Sequence, residues 1–167
     1  PGLPARTYVS RLTPSAHDAE RVYATFDGHR NGDYAAYVYV TEDGGTSWNR
    51  IDDGLPDGWS VNVITEHHRA ENLLFVGNEV GVYVSIDRGG SWTRLKANFP
   101  TVPVDDIAIH PRENDLIVGT HGRSAWIMDD ISPLEHLASR PNVMAQAAEV
   151  FPMKRSIMWA QKGDWPF

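Results

Sequence analysis

Short apolar segments alternate along this chain with polar turns that are rich in Gly, Asp and Pro. The segment Leu73–Gly77 is a continuous apolar run, which is typical of a β-strand buried on both faces. Ser60–Thr65 instead alternates apolar and polar residues, as a strand with one buried face does. Many short strands at regular spacing, joined by such turns, predict an all-β protein.

The predicted strands fall into three units of similar length. The first unit contains Tyr8–Leu12, Arg21–Phe26, Ala36–Thr41 and Trp48–Ile51. The second contains Ser60–Thr65, Leu73–Gly77, Val82–Ser85 and Trp92–Leu95. The third contains Asp106–Ile109, Leu116–Gly119 and Ser124–Met128.

One sequence motif repeats within these units. Thr41–Trp48 recurs as Ser85–Trp92, 44 residues later in the chain. A period of this size with four strands per unit predicts antiparallel β-propeller blades rather than a sandwich. We therefore expect blades over residues 7–54, 55–100 and 101–134, within a repeat domain of residues 1–134. Residues 135–167 are expected to form an exit segment and tail.

The third unit departs from the motif, as terminal repeats often do. Asp129 is aligned with Asp87, but Ile131, Pro133 and Leu134 replace the Gly, Ser and Trp that follow in the second unit. The stretch Asp130–Ala138 predicts a short helix, with Ser132 as its cap and Pro133 in its first turn.

The repeated motif, Ser/Thr-x-Asp-x-Gly-x-Ser/Thr-Trp, has the chemistry of a hairpin turn. Its Asp accepts local backbone hydrogen bonds, its Gly permits positive φ, and its Trp packs a large ring against the sheet. The motif resembles the Asp-box, or bacterial neuraminidase repeat, and this resemblance implies a structural role on the face opposite the active sites of the family. The residues concerned are Thr41, Asp43, Gly45, Ser47, Trp48, Ser85, Asp87, Gly89, Ser91 and Trp92.

The resemblance extends beyond the motif. A His-Pro turn at His110 followed by the strand Leu116–Thr120 is similar to sortilin-type and YVTN-like propeller repeats. The run Gly119–Leu134 resembles the C-terminal blades of large exported bacterial propeller proteins, which implies a secreted or periplasmic location. Such propellers are expected to have six to eight blades. Three units therefore imply either missing blades of a longer protein or self-association that closes the ring.

Composition excludes several classes of partner. The formal net charge of −7 disfavours nucleic acid, which requires clustered cations. No apolar run reaches the roughly 20 residues needed to span a membrane. With no cysteine, the chain has neither disulfides nor thiolate metal ligands. His67 and His68 have no evident third ligand, so we predict no metal and no cofactor.

The candidate site lies on the face opposite the repeated motif, where the loops between the second and third strands meet those between blades. Glu79 and the pair His121 and Arg123 occupy equivalent turns of adjacent units. A Glu and a His can act as base and acid, and an Arg can bind a carboxylate or phosphate. A salt bridge between blades is the alternative. Asn78 and Trp59 complete the set of candidate binding residues.

These features favour a non-catalytic binding or scaffold module that recognises protein, peptide or glycan on its loop face. The alternative is part of a glycoside hydrolase, of the sialidase or xyloglucanase type, whose remaining catalytic residues lie outside this chain. A sialidase needs three arginines, and only Arg30 and Arg123 lie on the expected face. No catalytic residue is therefore assigned. An assembly factor built on the same repeat is a third reading.

Overall fold

The computed structural model of the chain describes residues 2–152. It contains strands β1 Tyr8–Pro14, β2 Val22–Asp27, β3 Tyr37–Thr41, β4 Asn49–Arg50, β5 Val61–Glu66, β6 Leu74–Asn78, β7 Gly81–Ser85, β8 Thr93–Arg94, β9 Val104–Ile109, β10 Leu116–Thr120 and β11 Ala125–Met128. The helix α1 spans Ser132–Ser139, and two 3-10 helices span His29–Asn31 and Pro141–Ala145. The last part of the predicted tail lies outside the described residues. No described helix has the length and apolar character needed to cross a membrane.

The strands form three antiparallel meanders, in which each strand pairs with the next along the chain. Blade 1 has the order β1-β2-β3-β4, and blade 2 has β5-β6-β7-β8. Blade 3 has β9-β10-β11. The predicted all-β propeller-blade architecture is confirmed. The third blade has three strands among the described residues, and the outer strands β4 and β8 are only two residues long.

The innermost strands of the three blades lie side by side and are joined by side-chain hydrogen bonds. The Ser10 hydroxyl donates to the Val61 carbonyl at 2.7 Å, and the Thr13 hydroxyl donates to the Ile64 carbonyl at 2.8 Å. The Thr65 hydroxyl repeats this contact to the Ile107 carbonyl at 2.9 Å. The small hydroxyl residues of each inner strand therefore fix its position against the next blade.

The apolar core is divided into two layers, each between a pair of blades. One layer contains Tyr23, Val38 and Val40 of blade 1 against Ile64 and Trp92 of blade 2. The other contains Phe75 and Val84 of blade 2 against Ile107, Leu116 and Val118 of blade 3. Every residue of β6 and β7 is buried because blade 2 is covered on both faces. This explains the continuous apolar run that the sequence shows at β6.

In blade 3 a helix takes the outer position. Helix α1 begins at Ser132, two residues later than predicted, and its flanking Ile131 and its Ala138 pack into the core between blades 2 and 3. The N-cap is Ile131 rather than the predicted Ser132, whose hydroxyl donates to Asp130 at 2.5 Å and caps no backbone N–H of the helix.

The predicted alignment of blade 3 with blade 2 is also wrong by one residue. Leu116 pairs with Met128 as Leu74 pairs with Ser85, so Asp130 rather than Asp129 occupies the position of Asp87. Met128 has no hydroxyl to bond that carboxylate, and the Gly, Ser and Trp of the motif are also replaced, so the hairpin is not formed here.

Candidate functional site

The two repeated hairpins, Thr41–Trp48 and Ser85–Trp92, contain the same hydrogen-bond network. In the first, Asp43 accepts the Ser47 hydroxyl at 2.6 Å, the Ser47 N–H at 2.8 Å and the Thr41 hydroxyl at 2.8 Å. In the second, Asp87 accepts the Ser91 hydroxyl at 2.6 Å, the Ser91 N–H at 2.9 Å and the Ser85 hydroxyl at 2.7 Å.

These bonds stabilise the ionised carboxylates of both hairpins. They lower the pKa of Asp43 to about 2, chiefly through the Ser47 hydroxyl. Burial alone would raise the pKa of Asp87, but the bonds from Ser85 and Ser91 outweigh it and lower that pKa. Both carboxylates are fully engaged in holding their turns.

The histidines at the start of the turns on the same face have a similar local role. His67 is fully buried, and its Nδ1 accepts the Ala70 N–H at 3.1 Å while its Nε2 donates to Asn114 at 2.8 Å. Burial lowers the pKa of His67, so the neutral ring is favoured. In blade 3, His110 Nδ1 accepts the Glu113 N–H at 3.0 Å. Within residues 2–152, no group of three or more His, Asp or Glu side chains is placed to hold a metal ion.

The opposite face, which we call the loop face, consists of the β2–β3 loop, the β4–β5 connection and the β6–β7 turn. A cavity of about 240 Å³ on this face is lined by His29 and Tyr34 from the loop, Trp59 from the connection and Glu79 from the turn. Trp59 and Tyr34 are 43% and 52% exposed. Four chemically different side chains from two blades therefore meet at one open depression.

Hydrogen bonds within the β2–β3 loop fix the residues that it contributes to the cavity. The His29 imidazole and its backbone N–H both contact the Asp27 carboxylate. Burial would raise the pKa of Asp27, but these bonds lower it overall. Asp33 accepts the Ala35 N–H at 3.1 Å and the Tyr37 hydroxyl at 2.8 Å, on either side of Tyr34 in the chain.

Two equivalent arginines support the cavity from the outer strands. Arg50 donates to the Ala36 carbonyl at 3.0 Å, at the end of the loop that carries Tyr34. Arg94 donates to the Val80 carbonyl at 2.9 Å, next to Glu79. Both arginines follow the repeated Trp by two residues, so a Trp-x-Arg repeat was available in the sequence as a signal for this role.

The structure separates the sequence-predicted candidates into three groups. Trp59 and Glu79 line the cavity. Asn78 lies at the end of β6 and is fully buried, with its side-chain oxygen accepting the Val80 N–H at 3.0 Å. Its burial makes it a residue that holds the turn rather than a surface group.

The third group is His121 and Arg123, on the β10–β11 turn. His121 is exposed and contacts the Asp105 carboxylate at 3.3 Å. Arg123 is exposed, and its carbonyl accepts the Trp126 indole N–H at 2.9 Å. Among the described residues, neither is hydrogen-bonded or ion-paired to Glu79. His121 thus pairs across a loop of its own blade, whereas Glu79 faces side chains of blade 1.

Sequence reasoning identified neither Tyr34 nor His29 as a candidate binding residue. An exposed aromatic directly after the Gly- and Asp-rich turn is the only local signal for Tyr34. Together the four side chains offer two aromatic faces, one carboxylate acceptor and one imidazole. This combination suits binding of a ligand that has both apolar C–H surface and hydroxyl groups.

Comparison with known proteins identifies the family of the chain. The family model for sortilin (Sortilin-Vps10; sortilin, neurotensin receptor 3) matches residues 36–139. The fold is similar to that in the crystal structure of an ancestral GH74 enzyme, with a TM-score of 0.55 and 20% identity. That alignment covers 67% of this chain but only 16% of the enzyme chain, and at this identity it shows the fold alone. No curated protein sequence matches significantly. Because the family model covers more than half of its length, the chain belongs to the Sortilin-Vps10 family.

Proposed function

We propose that this chain is part of a non-catalytic β-propeller that binds a neutral glycan in the cavity formed by His29, Tyr34, Trp59 and Glu79. The observation that carries the proposal is the convergence of two exposed aromatic rings and a carboxylate at one surface depression. The C–H face of a sugar ring packs on an aromatic face, and its hydroxyl groups donate to a carboxylate. The two repeated hairpins are Asp-boxes with a structural role in this proposal.

The hydrogen bonds around the cavity favour a preformed binding site over a flexible surface. Arginine bonds to backbone carbonyls hold the loop that carries Tyr34, through Arg50, and the turn that carries Glu79, through Arg94. A site built on fixed loops loses little conformational entropy when a ligand binds. Such loops over a rigid scaffold are a common location for binding residues.

The negative charge of the chain and of the cavity indicates which class of glycan would bind. The chain has a formal net charge of −7, and the cavity contributes the Glu79 carboxylate without an arginine in its lining. An acidic sugar would be repelled by this surface, so we assign neutral oligosaccharides as the ligand class. The exported, bacterial setting that the sequence resemblance implies would expose the protein to polysaccharides.

Calorimetric titration of the chain with cellohexaose, xylohexaose and maltohexaose tests the proposal, with 3′-sialyllactose as the acidic probe. We expect at least one neutral hexasaccharide to bind and the acidic probe not to bind. Trp59→Ala should weaken binding at least about tenfold, equivalent to about 1.4 kcal/mol. Trp48→Ala, which removes a half-buried Trp outside the cavity, is the matched control and should leave binding unchanged.

Two results would count against this function. If none of the neutral hexasaccharides binds, or if Trp59→Ala binds as tightly as the natural chain, the cavity is not a glycan site. Product analysis after prolonged incubation separates binding from the hydrolase alternative. A binding module returns the hexasaccharide intact, whereas a glycoside hydrolase releases shorter sugars with new reducing ends.

A further inference from the structure

The segments that follow the two repeated hairpins have equivalent backbones but different side chains. Residues 49–55 of blade 1 align with residues 93–99 of blade 2, at the same 44-residue spacing as the hairpins. The Ile51 N–H donates to a carbonyl of β3 and the Leu95 N–H to the equivalent carbonyl of β7, both at 2.9 Å. The side chains of the two segments can therefore be compared position by position.

In blade 1 an aromatic ring and a carboxylate surround the arginine of this segment. The Arg50 guanidinium lies 5.0 Å from the centroid of the Tyr37 ring. Its Nε donates to the Asp52 carboxylate at 2.7 Å, and one Nη atom lies 2.6 Å from the same oxygen. Arg50 thus has both an aromatic partner and a counter-ion within its own blade.

Blade 2 lacks both of these partners. Strand register makes Arg94 the equivalent of Arg50. Gly81 stands at the position of the Tyr ring, and Lys96 stands at the position of the carboxylate. The Arg94 guanidinium keeps a bond to a backbone carbonyl and also donates to the neutral Thr101 hydroxyl at 3.1 Å. Within residues 2–152, no acidic side chain is hydrogen-bonded or ion-paired to Arg94 or Lys96.

A cavity of about 210 Å³ lies beside the Arg94 guanidinium. Gly81, Lys96 and Phe99 contribute to its lining, which contains no acidic residue. Every lining residue belongs to blade 2 or to the connection between β8 and β9, and Phe99 packs edge to face on Trp126 of blade 3. A cavity of about 150 Å³ can hold a benzene molecule, so this one has room for a single aromatic ring and a carboxylate.

We infer that this cavity binds a small aromatic carboxylate, whose ring packs over the Arg94 guanidinium and whose carboxylate pairs with Arg94 and Lys96. The ligand supplies the two groups that Tyr37 and Asp52 supply to the equivalent arginine of blade 1. An aromatic ring over a guanidinium and a charge-assisted bond to a carboxylate are both favourable. The cavity shares no lining residue with the proposed glycan cavity, so the two sites can be tested separately.

Titration of the 15N-labelled chain with phenylacetate, followed by NMR, tests this site. The amide signals of Gly81 and Lys96 should shift and reach saturation at millimolar concentrations. Acetate supplies the carboxylate alone and benzyl alcohol the ring alone, so each should bind at least about tenfold more weakly than phenylacetate.

Two variants identify the residues that bind phenylacetate. Lys96→Asp should abolish the saturable shift, because it places a carboxylate beside Arg94 as blade 1 does and removes a cation that binds the ligand. Arg112→Asp makes the same change of charge at an exposed side chain of the β9–β10 turn, outside the cavity. It is the matched control and should bind phenylacetate like the natural chain. Circular dichroism of both variants confirms folding, which is expected because both side chains are exposed.

Three outcomes would overturn the inference. If phenylacetate causes no saturable shift, the cavity does not take an aromatic carboxylate. If acetate binds as tightly as phenylacetate, the ring is not recognised and the position of Tyr37 has no counterpart in a ligand. If Lys96→Asp still binds, or if Arg112→Asp loses binding equally, phenylacetate binds elsewhere or responds only to the net charge.

Discussion

The indole N–H of Trp92 donates a 2.6 Å hydrogen bond to the carbonyl of Ile51, in the blade before its own. The ring is buried in the core between blades 1 and 2. Trp48, at the equivalent position of the first hairpin, instead donates to Gly45 of its own turn at 3.2 Å. The shared hydrogen bonds of the two hairpins therefore close each turn, and the Trp92 indole also joins blade 2 to blade 1.

Truncating Trp92 should destabilise the fold strongly. Trp92→Ala opens a cavity between the blades and leaves the Ile51 carbonyl without its donor, so we expect a loss of about 3–5 kcal/mol. Trp59→Ala, in an exposed loop, should change stability by only about 0.5 kcal/mol. Guanidinium denaturation of the three proteins measures both effects. Equal losses would show that Trp92 does not join the blades.

Glu66 should be far more important to stability than its exposed neighbour Glu71. Glu66 is buried and accepts the Tyr23 hydroxyl at 2.8 Å and the Ser15 hydroxyl at 2.7 Å. Burial and the bond to Glu66 raise the pKa of Tyr23, which keeps it a donor. Glu66→Gln should therefore cost about 2–3 kcal/mol.

Glu71→Gln is the matched control for this substitution. Glu66 contacts the Arg21 guanidinium at 3.7 Å, and Glu71 contacts it at 3.4 Å, but the Glu71 side chain is half exposed. Surface pairs of this kind contribute at most about 1 kcal/mol. Urea denaturation of both variants at neutral pH makes the comparison. A Glu71→Gln loss as large as that of Glu66→Gln would contradict the assigned role of Glu66.

His67 should make the fold sensitive to mildly acidic pH. Burial lowers its pKa in the folded chain, although Asn114 and Glu135 oppose the shift. The unfolded chain therefore binds a proton first, near pH 6.5, and stability should decrease as the pH falls below that value. Thermal unfolding between pH 7.5 and pH 5 measures the slope. His67→Gln should flatten it, and His121→Ala, at an exposed histidine, should not.

The repeated hairpins should cause a second loss of folding stability, at a lower pH. The pKa of Asp43 is about 2 and that of Asp87 is also lowered, so their ionised forms stabilise the folded chain above the unfolded pKa of about 3.9. This stability should disappear as the pH falls from about 4 toward 2. Asp87→Asn should reduce stability at neutral pH and make the acid limb shallower. An unchanged acid limb in that variant would contradict the account of the hairpin.

The sequence predicted the blades well because their determinants are local. Strand periodicity and the hairpin chemistry of Thr41–Trp48 act within a few residues, so they can be read without a structure. Contacts between blades are different. The bonds from Ser15 to Glu66 and from Trp92 to Ile51 join residues 51 and 41 positions apart, and only the stacking of blades brings them together.

The sequence predicted only part of the candidate site, because the stacking of blades decides which loop residues meet. Trp59 and Glu79 were found because each lies in a loop on the expected face. Tyr34 was missed, since its approach to Glu79 depends on the packing of blade 1 on blade 2. Asn78 was placed in a turn, but β6 continues through it and buries its side chain. Met128 in place of a hydroxyl residue concealed the register of blade 3.

Contact between a sugar and the Trp59 ring is the most direct test of the central claim. The chain has six tryptophans, each with an indole N–H signal in a 15N-correlated NMR spectrum. Trp59→Ala, Trp48→Ala and the conservative Trp92→Phe, made one at a time, assign their signals. Titration with cellohexaose, xylohexaose and maltohexaose should shift the Trp59 signal, for the sugar that binds, while Trp48 and Trp92 remain in place. A Trp59 signal that does not move with any of the three sugars would contradict glycan binding at this cavity.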